Sequence, residues 1–261
     1  PDVSYRVLDI SSQSGPYKNS RTSRFHKSLG GYHAAKLGRY QNVVDKYLFP
    51  EMQSSFGAGA TLASVTAAME TMKVHNMLNT KYIITSPEQQ PLTNLHAMGN
   101  AWFVDRPQLV ETEAEEIGMI NQVNLLEVAL INNSFADALT SLKEIEPSPF
   151  VDEIQMDQCD PNYLKYKVKI AQDRLTVFSE IWYPHGWKAF VDGKETEILR
   201  ANYLLRALVV PAGEHQIEFR FESKSLKTGQ SIALISSILV FLLLLAFGFY
   251  TYRVSLTQRT E

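Results

Sequence analysis

The chain has 261 residues, and its 25 Lys and Arg against 28 Asp and Glu give a formal net charge of −3. This balance argues against a nucleic-acid partner, because phosphate binding needs a concentrated basic surface. Cys159 is the single cysteine of the sequence, so an internal disulfide and a cysteine-based zinc site are excluded. The length allows one large domain or two modest ones with their own cores.

The chain opens on a strand-like run, Arg6–Ile10, which the turn formers of Ser11–Pro16 should end. No basic segment followed by an apolar one precedes this run, so we predict no signal peptide. We therefore expect a fragment of a longer protein whose upstream part supplies export.

A polar, basic loop follows and reads N-S-R-T-S-R-F-H-K-S-L-G-G-Y-H from Asn19 to His33. Arginine forks can grip a phosphate, aromatic faces can stack on a sugar, and Gly30–Gly31 permits a tight bend. The pattern is typical of an anion or sugar site, or alternatively of a solvated connection. The ligand-binding residues that we predict here are Arg21, Arg24, His26, Tyr32, His33 and Lys36. No metal is predicted, because the two histidines match no recognised ligand spacing.

Helical periodicity follows the loop. Apolar residues at three- and four-residue intervals from Ala34 to Leu48 predict an amphipathic helix that ends near Phe49–Pro50. Residues 51–61 are predicted to be a flexible connector, and Leu62–Asn76 a helix whose methionines fill the core.

A third helix is predicted from a capping box, in which Thr112 and Glu115 bond each other's backbone. We expect it to run to about Ile120. We interpret Glu113, Glu115 and Glu116 as the acidic first turn of this helix, and not as a catalytic acid and base.

Short apolar runs between these helices predict strands at Lys81–Ile84, Ala101–Val104 and Leu125–Ile131, with Pro107–Val110 continuing the second. Strands that alternate with helices indicate a mixed α/β arrangement. The sequence has no G-x-S-x-G, G-x-G-x-x-G, Walker or H-E-x-x-H motif, so no catalytic residue and no cofactor is predicted.

The second half changes to a period of two. Glu144–Pro149 is the predicted domain boundary, and the alternation of Leu164–Ile170 is a strong strand pattern. Asp192–Gly193 fits a two-residue hairpin turn. Further strands are predicted at 175–182, 187–191, 203–210 and 215–221, which together indicate an antiparallel β-sandwich.

Aromatic residues cluster at one break between these strands. The cluster contains Trp182, Tyr183, His185 and Trp187. These side chains could stack on a sugar ring as a second ligand-binding group, or they could plug the end of the sandwich core.

The run Ile232–Tyr250 contains no charged residue and, at about 1.5 Å rise per residue, is long enough for a bilayer core. We predict a transmembrane helix over 231–252, with a buried core helix as the alternative. Long domains cross a membrane largely regardless of charge while short basic tails stay inside, so residues 1–230 are expected outside.

The predicted fold class is therefore α+β. A mixed α/β extracytoplasmic domain is expected over 1–146 and an antiparallel β-sandwich over 147–223. The transmembrane helix over 231–252 precedes a cytoplasmic tail over 253–261.

Five phrases carry a family resemblance: S-R-T-S-R-F-H-K-S-L-G-G-Y-H-A-A-K-L-G-R-Y-Q (Ser20–Gln41), M-L-N-T-K-Y-I-I (Met77–Ile84), G-N-A-W-F-V (Gly99–Val104), W-Y-P-H-G-W-K-A-F-V-D-G-K (Trp182–Lys194) and R-A-N-Y-L-L-R-A (Arg200–Ala207). They resemble the YfhO family of bacterial multispanning membrane proteins, whose members look like GT-C glycosyltransferases. The resemblance implies a location in the bacterial inner membrane, with most of this chain extracytoplasmic. The catalytic acid of such enzymes lies in an early extracytoplasmic loop that has no counterpart here, so no catalytic residue is transferred.

The resemblance also implies a function. We expect the chain to help position a lipid-linked sugar or cell-envelope glycan acceptor, without being catalytic alone. Its expected partners are the membrane, the remaining transmembrane helices of the same full-length chain, and the lipid-linked sugar or glycan. The alternatives are a membrane-anchored carbohydrate-binding module and a purely structural envelope module.

Overall fold

The computed structural model of the chain describes residues 4–12, 15–57 and 62–257. Residues 58–61 of the predicted connector and residues 258–261 of the predicted tail lie outside the described residues. The predicted α+β class is confirmed, since helices and three β-sheets occur together.

The described helices are α1 (Gly38–Val43), α2 (Phe49–Ser55), α3 (Leu62–Thr71), α4 (Lys73–Met77), α5 (Glu113–Met119) and α6 (Lys224–Thr257). A π-helical turn spans Val44–Leu48, and 3₁₀ turns span Thr22–Arg24, Ile120–Gln122 and Asn133–Leu139.

The described strands are β1 (Arg6–Asp9), β2 (Thr80–Ile84), β3 (Leu92–Thr93), β4 (Ala101–Val104), β5 (Arg106–Val110), β6 (Val128–Asn132), β7 (Glu153–Asp160), β8 (Tyr163–Ile170), β9 (Arg174–Ile181), β10 (Trp187–Val191), β11 (Lys194–Thr196), β12 (Leu199–Ala201), β13 (Leu205–Val210) and β14 (Gly213–Phe221). Most of the predicted strands appear among them. Strands β3, β7, β11 and β12 were not predicted as separate elements.

Helices α1 and α2 form one helical segment, joined by the π-helical turn Val44–Leu48. The predicted helix end near Phe49–Pro50 is therefore wrong, and so is the predicted connector as far as Ser55. Proline normally breaks a helix interior, because it lacks an N–H and its ring clashes with the carbonyl four residues earlier. Here the Phe49 N–H bonds the Val44 carbonyl, five residues back, so that Pro50 falls in the first turn of α2. A proline in that position leaves no hydrogen bond unmade.

Helices α3 and α4 bury their methionines, as predicted. Met69, Met72 and Met77 are 0–2% exposed and belong to the core that packs against the curled sheet described next. Thr112 caps α5 as predicted, since its side chain accepts a hydrogen bond from the Glu115 N–H at 3.1 Å. The Glu115 carboxylate accepts its hydrogen bond from the Glu111 N–H at 2.9 Å, one residue before the N-cap.

A six-stranded sheet has the order β4-β9-β13-β12-β6-β5. Its edge strands β4 and β5 are separated in sequence only by Asp105, so the sheet curls until its two edges meet there. The prediction that Pro107–Val110 continues β4 is wrong, because β5 pairs in parallel with β6 while β4 pairs with β9. The result is a curled half-barrel whose concave side holds part of the core.

A five-stranded antiparallel sheet, of order β11-β10-β14-β8-β7, packs against this curled sheet. Tyr166 and Phe219 of the five-stranded sheet meet Phe178 of the curled sheet, each at a ring-centroid distance of 4.9 Å and edge to face. All three side chains are fully buried. This packing makes a β-sandwich, and the curled layer takes strands from both sides of the predicted boundary at Glu144–Pro149. The division into domains at that point stays a prediction.

A small sheet of order β1-β2-β3 lies beside the helices. Strand β1 pairs in parallel with β2, and the basic loop is attached to it because the Val7 N–H donates to the Lys27 carbonyl at 2.8 Å. This attachment places the loop of residues 19–33 next to the end of β1.

Helix α6 follows β14 and carries the predicted transmembrane run. Among the described residues, one helix is long and apolar enough to cross a membrane, over Thr228–Thr251 with a mean hydropathy of 2.8, and none of its most apolar window is buried. The alternative of a buried core helix is therefore wrong.

Candidate functional site

The predicted ligand loop borders a cleft of about 320 Å³. Arg21, Phe25 and His26 line the cleft from the loop, and Asp9 lines it from the end of β1. The opposite wall is the segment that follows β2, from Ile84 to Pro91. The 3₁₀ turn at Thr22–Arg24 gives the loop its shape and sets Arg21 and Phe25 on either side of it.

Asp9 is the buried carboxylate among the residues that line this cleft. Its Oδ1 accepts hydrogen bonds from the Ser11 N–H at 3.0 Å and the Ser11 hydroxyl at 2.6 Å, and its Oδ2 accepts one from the Thr22 hydroxyl at 2.8 Å. Burial works to raise the pKa of Asp9, but these hydrogen bonds and the nearby Arg21 charge hold the pKa below its ordinary value. A carboxylate held by three hydrogen bonds therefore lies next to the exposed Arg21 cation.

The chemistry of this arrangement suits a polar ligand with a ring. Phe25 is 72% exposed, so a face of its ring can stack on a sugar. The Arg24 guanidinium lies 5.7 Å from the ring centroid. Arg21 and His26 are exposed and can donate hydrogen bonds to a phosphate or to hydroxyl groups.

The other three predicted residues of the loop are not among those that line the cleft. Tyr32 and His33 are exposed, and the Nδ1 of His33 accepts a hydrogen bond from the Ala35 N–H at 3.0 Å. The Lys36 ammonium lies 5.7 Å from the Tyr40 ring centroid. The structure thus groups Arg21 and His26, puts Arg24 beside them, and leaves Tyr32, His33 and Lys36 apart.

The aromatic cluster at residues 182–187 divides into two parts. Trp187 lies 4.0 Å from the Arg206 guanidinium and Trp182 lies 5.5 Å from the Arg200 guanidinium, so both indoles are half-buried against buried cations. Tyr183 and His185 are exposed and meet edge to face at 5.5 Å. Trp187 packs against the core of the sandwich, while the exposed Tyr183 and His185 can contact a ligand or a surface.

Sequence reasoning missed a buried ion-pair network on α5. Glu116 is fully buried, accepts a hydrogen bond from Arg200 at 2.8 Å, and accepts another from the Tyr203 N–H at 2.8 Å. Arg200 also bonds Glu113 at 3.1 Å, and Glu113 bonds Arg39. Burial raises the pKa of Glu116, although the Arg200 charge opposes this. The network links α1, α5 and the β12–β13 hairpin. The predicted acidic first turn of α5 is confirmed, and Glu116 within it has an additional buried partner that the sequence did not predict.

A second buried polar chain joins Glu51, His75 and Tyr17. The His75 ring bonds Glu51 at 2.7 Å through Nδ1 and the Tyr17 hydroxyl at 2.9 Å through Nε2. His75 is fully buried and Tyr17 is 9% exposed. Glu51 also accepts the Val74 N–H at the start of α4, so this chain ties helices together in the core and is not placed to meet a substrate.

These features define a class of protein: an α+β body joined to one exposed apolar helix with the properties of a membrane span. Residues 121–233 match the family model described as bacterial membrane protein YfhO. Over these residues the chain is similar to the YfhO family, which confirms the predicted resemblance, and together with the exposed apolar helix α6 the match indicates an association with a membrane. The match covers β6 to β14 and the start of α6, whereas the cleft lies before it. No curated protein and no solved structure matches the chain.

Proposed function

We propose that this chain is the extracytoplasmic part of a GT-C glycosyltransferase-like membrane protein and helps to position a lipid-linked sugar or a cell-envelope glycan. The observation that supports this proposal is the cleft beside Asp9. It combines a buried carboxylate, an exposed aromatic face and two exposed cationic or hydrogen-bonding side chains within one concave surface.

The chemistry of each side chain determines which part of the ligand it would contact. Asp9 accepts hydrogen bonds from sugar hydroxyls, and the Phe25 face packs on the apolar face of the ring. Arg21 and His26 hold a phosphate or the remaining hydroxyl groups, since an arginine fork and an imidazole donate to oxygen ligands. None of these groups is proposed to break or form a covalent bond.

The sequence supplies matched controls for a binding test. Arg21→Ala and His26→Ala remove residues that line the cleft, whereas Arg24→Ala and His33→Ala remove the same residue types from the same loop outside its lining. The full chain is reconstituted in nanodiscs and titrated with a short-chain polyprenyl phosphosugar, with a sugar 1-phosphate, a neutral monosaccharide and inorganic phosphate as separate probes.

The expected result is binding that weakens in the cleft variants only. A charge-assisted hydrogen bond contributes about 1.5–3 kcal/mol, so Arg21→Ala should weaken the binding of a phosphosugar by roughly 10- to 100-fold. Equal weakening by Arg24→Ala would assign the effect to net charge and contradict the cleft. Absence of binding by any probe at millimolar concentration would leave the purely structural module.

A further inference from the structure

The end of the β-sandwich from which α6 departs is fixed by short-range contacts. Strand β14 ends at Phe221, and the Phe221 N–H donates to the Asn162 carbonyl at 2.9 Å. The next residue, Glu222, donates its N–H to the Gly186 carbonyl at 2.6 Å. We call this region the α6 end; it contains Asn162, the loop Tyr183–Gly186 and Phe221.

The loop Tyr183–Gly186 is held firmly against the last residues of β14. Trp187 pairs with Phe221 in the sheet, and the two rings lie 5.4 Å apart. Gly186 has a φ of +86°, and a Cβ atom built there would lie 2.7 Å from the Phe221 ring. The loop therefore keeps its position beside Phe221 whatever direction α6 takes.

The chain between this loop and the membrane span is very short. Helix α6 begins at Lys224, and its apolar stretch begins at Thr228. Two extended steps and four helical steps reach at most about 13 Å from Glu222 to Thr228. The polar headgroup layer on each side of a bilayer core is about 5–8 Å thick. The loop therefore lies within this layer or only a few Å outside it.

The exposed side chains of the loop suit a membrane interface. Tyr183 is 38% exposed, Pro184 and His185 are exposed, and the half-buried Trp182 precedes them. Tyrosine and tryptophan are enriched at the level of lipid headgroups, because one part of each ring system is apolar and another part hydrogen-bonds. We propose that the loop Tyr183–Gly186 lies in the headgroup layer of the bilayer that α6 crosses, and that it sets the orientation of the sandwich on the membrane.

The opposite end of the sandwich provides a control position. Strand β14 runs nine residues, Gly213 to Phe221, so the turn at Ala212 lies about 30 Å along the strand from Phe221. Ala212 is exposed, and its contact with Asp173 is made by its backbone N–H, which a cysteine keeps. A probe at residue 212 should therefore remain in water.

The test uses site-directed fluorescence quenching. In a Cys159→Ser background, His185→Cys or Tyr183→Cys carries a bimane label, and Ala212→Cys carries the same label as the control. The full chain is reconstituted in nanodiscs with and without a lipid that bears a spin label on its headgroup. We expect an intensity loss of about twofold or more at residues 183 and 185, as for a probe within the interfacial layer, and no loss at residue 212.

Unchanged intensity at both residues 183 and 185 would overturn the proposal, and would mean that protein or water covers the loop instead. Equal quenching at residues 185 and 212 would also overturn it, because the sandwich would then lie flat on the membrane. Thermal melting of each labelled variant verifies that the fold is intact.

Discussion

Glu116 and Arg200 form the buried ion pair on which the packing of α5 against the β12–β13 hairpin depends. Glu116 is fully buried, and the Arg200 side chain is 8% exposed. Removing one partner of such a pair leaves the other charge buried and unpaired, which costs about 3–5 kcal/mol. We expect Glu116→Leu and Arg200→Met each to lower the free energy of unfolding by about this amount. The total free energy of unfolding of a domain is typically about 5–15 kcal/mol.

The double substitution gives a sharper prediction than either single one. Glu116→Leu with Arg200→Met removes both charges and replaces them with apolar side chains of similar size. The remaining loss is mainly the unpaired Tyr203 N–H, which costs about 1–3 kcal/mol. The double variant should therefore be more stable than either single variant.

The assay is urea unfolding of the full chain in detergent micelles, followed by tryptophan fluorescence, because Trp182 lies over the Arg200 guanidinium. Glu115→Gln is the matched control, since Glu115 is exposed on the same helix and glutamine also serves in a capping box. Its effect should stay within about 0.5 kcal/mol. If the two single losses simply added in the double variant, the pair would not be coupled and the reasoning would fail.

The pH dependence of Arg200→Met tests the same pair independently. The Arg200 charge lowers the pKa of Glu116, so its removal lets burial raise that pKa further. When the folded-state pKa of a carboxyl group lies above its unfolded-state pKa, stability falls as the pH rises from the unfolded-state pKa through the folded-state pKa. The deficit of Arg200→Met relative to the wild type should therefore shrink at acidic pH, and a deficit that grows there would contradict the assignment.

Two further predictions concern the five-stranded sheet. The hydrogen bond that the His215 imidazole donates to the Asp192 carboxylate raises the pKa of His215, so the pair's stabilisation is present below the ordinary histidine pKa and is lost as pH rises through the folded value. NMR titration should show this raised pKa, and Asp192→Asn should lower it; an unchanged value would refute the contact. Gly186→Ala should lower the melting temperature more than Gly193→Ala, because both glycines have positive φ but only the first would add a methyl group against the Phe221 ring. Equal shifts would show that the loop can move away from Phe221.

The alternation of apolar and polar residues and the turn residues predicted most of the five-stranded sheet, because one of its faces is buried. The alternation of Leu164, Tyr166, Val168 and Ile170 became the buried face of β8, with each side chain at most 4% exposed. The Asp192–Gly193 turn has φ values of +50° and +79°, as a two-residue hairpin requires. A period and a turn are properties of neighbouring residues, so they are visible in one sequence.

Strand β7 was not predicted, because its alternation of apolar and polar residues is interrupted. It is an edge strand, and its register with β8 shifts between Met156 and Gln158. A bulge moves the following side chains to the other face, so the alternation that begins with Ile154 and Met156 does not continue. The strand was therefore not predicted, although its first residues alternate.

Contacts between distant residues could not be predicted at all. Glu116 meets Arg200 across 84 positions of sequence, and β4 pairs with β9 rather than continuing into β5. Nothing in the local sequence distinguishes a glutamate that will be buried by such a partner from one that caps a helix in water. The cleft was predicted only in part for the same reason, since Asp9 belongs to β1 while the basic residues follow in the loop.

Lys27 relates the cleft to the α6 end of the sandwich. It follows His26 of the cleft, and its ammonium lies 3.6 Å from Glu180 and 3.0 Å from the Cys159 sulfur. Both partners lie at the α6 end, because Glu180 precedes the last residue of β9 and Cys159 lies one residue from the end of β7, beside the turn that contains Asn162. We therefore expect the cleft to open near the headgroup layer if the loop Tyr183–Gly186 contacts it. A sugar carried on a membrane lipid could reach such a cleft with its phosphate still at the headgroup level, whereas a cleft at the Ala212 end, about 30 Å away along β14, would be out of its reach.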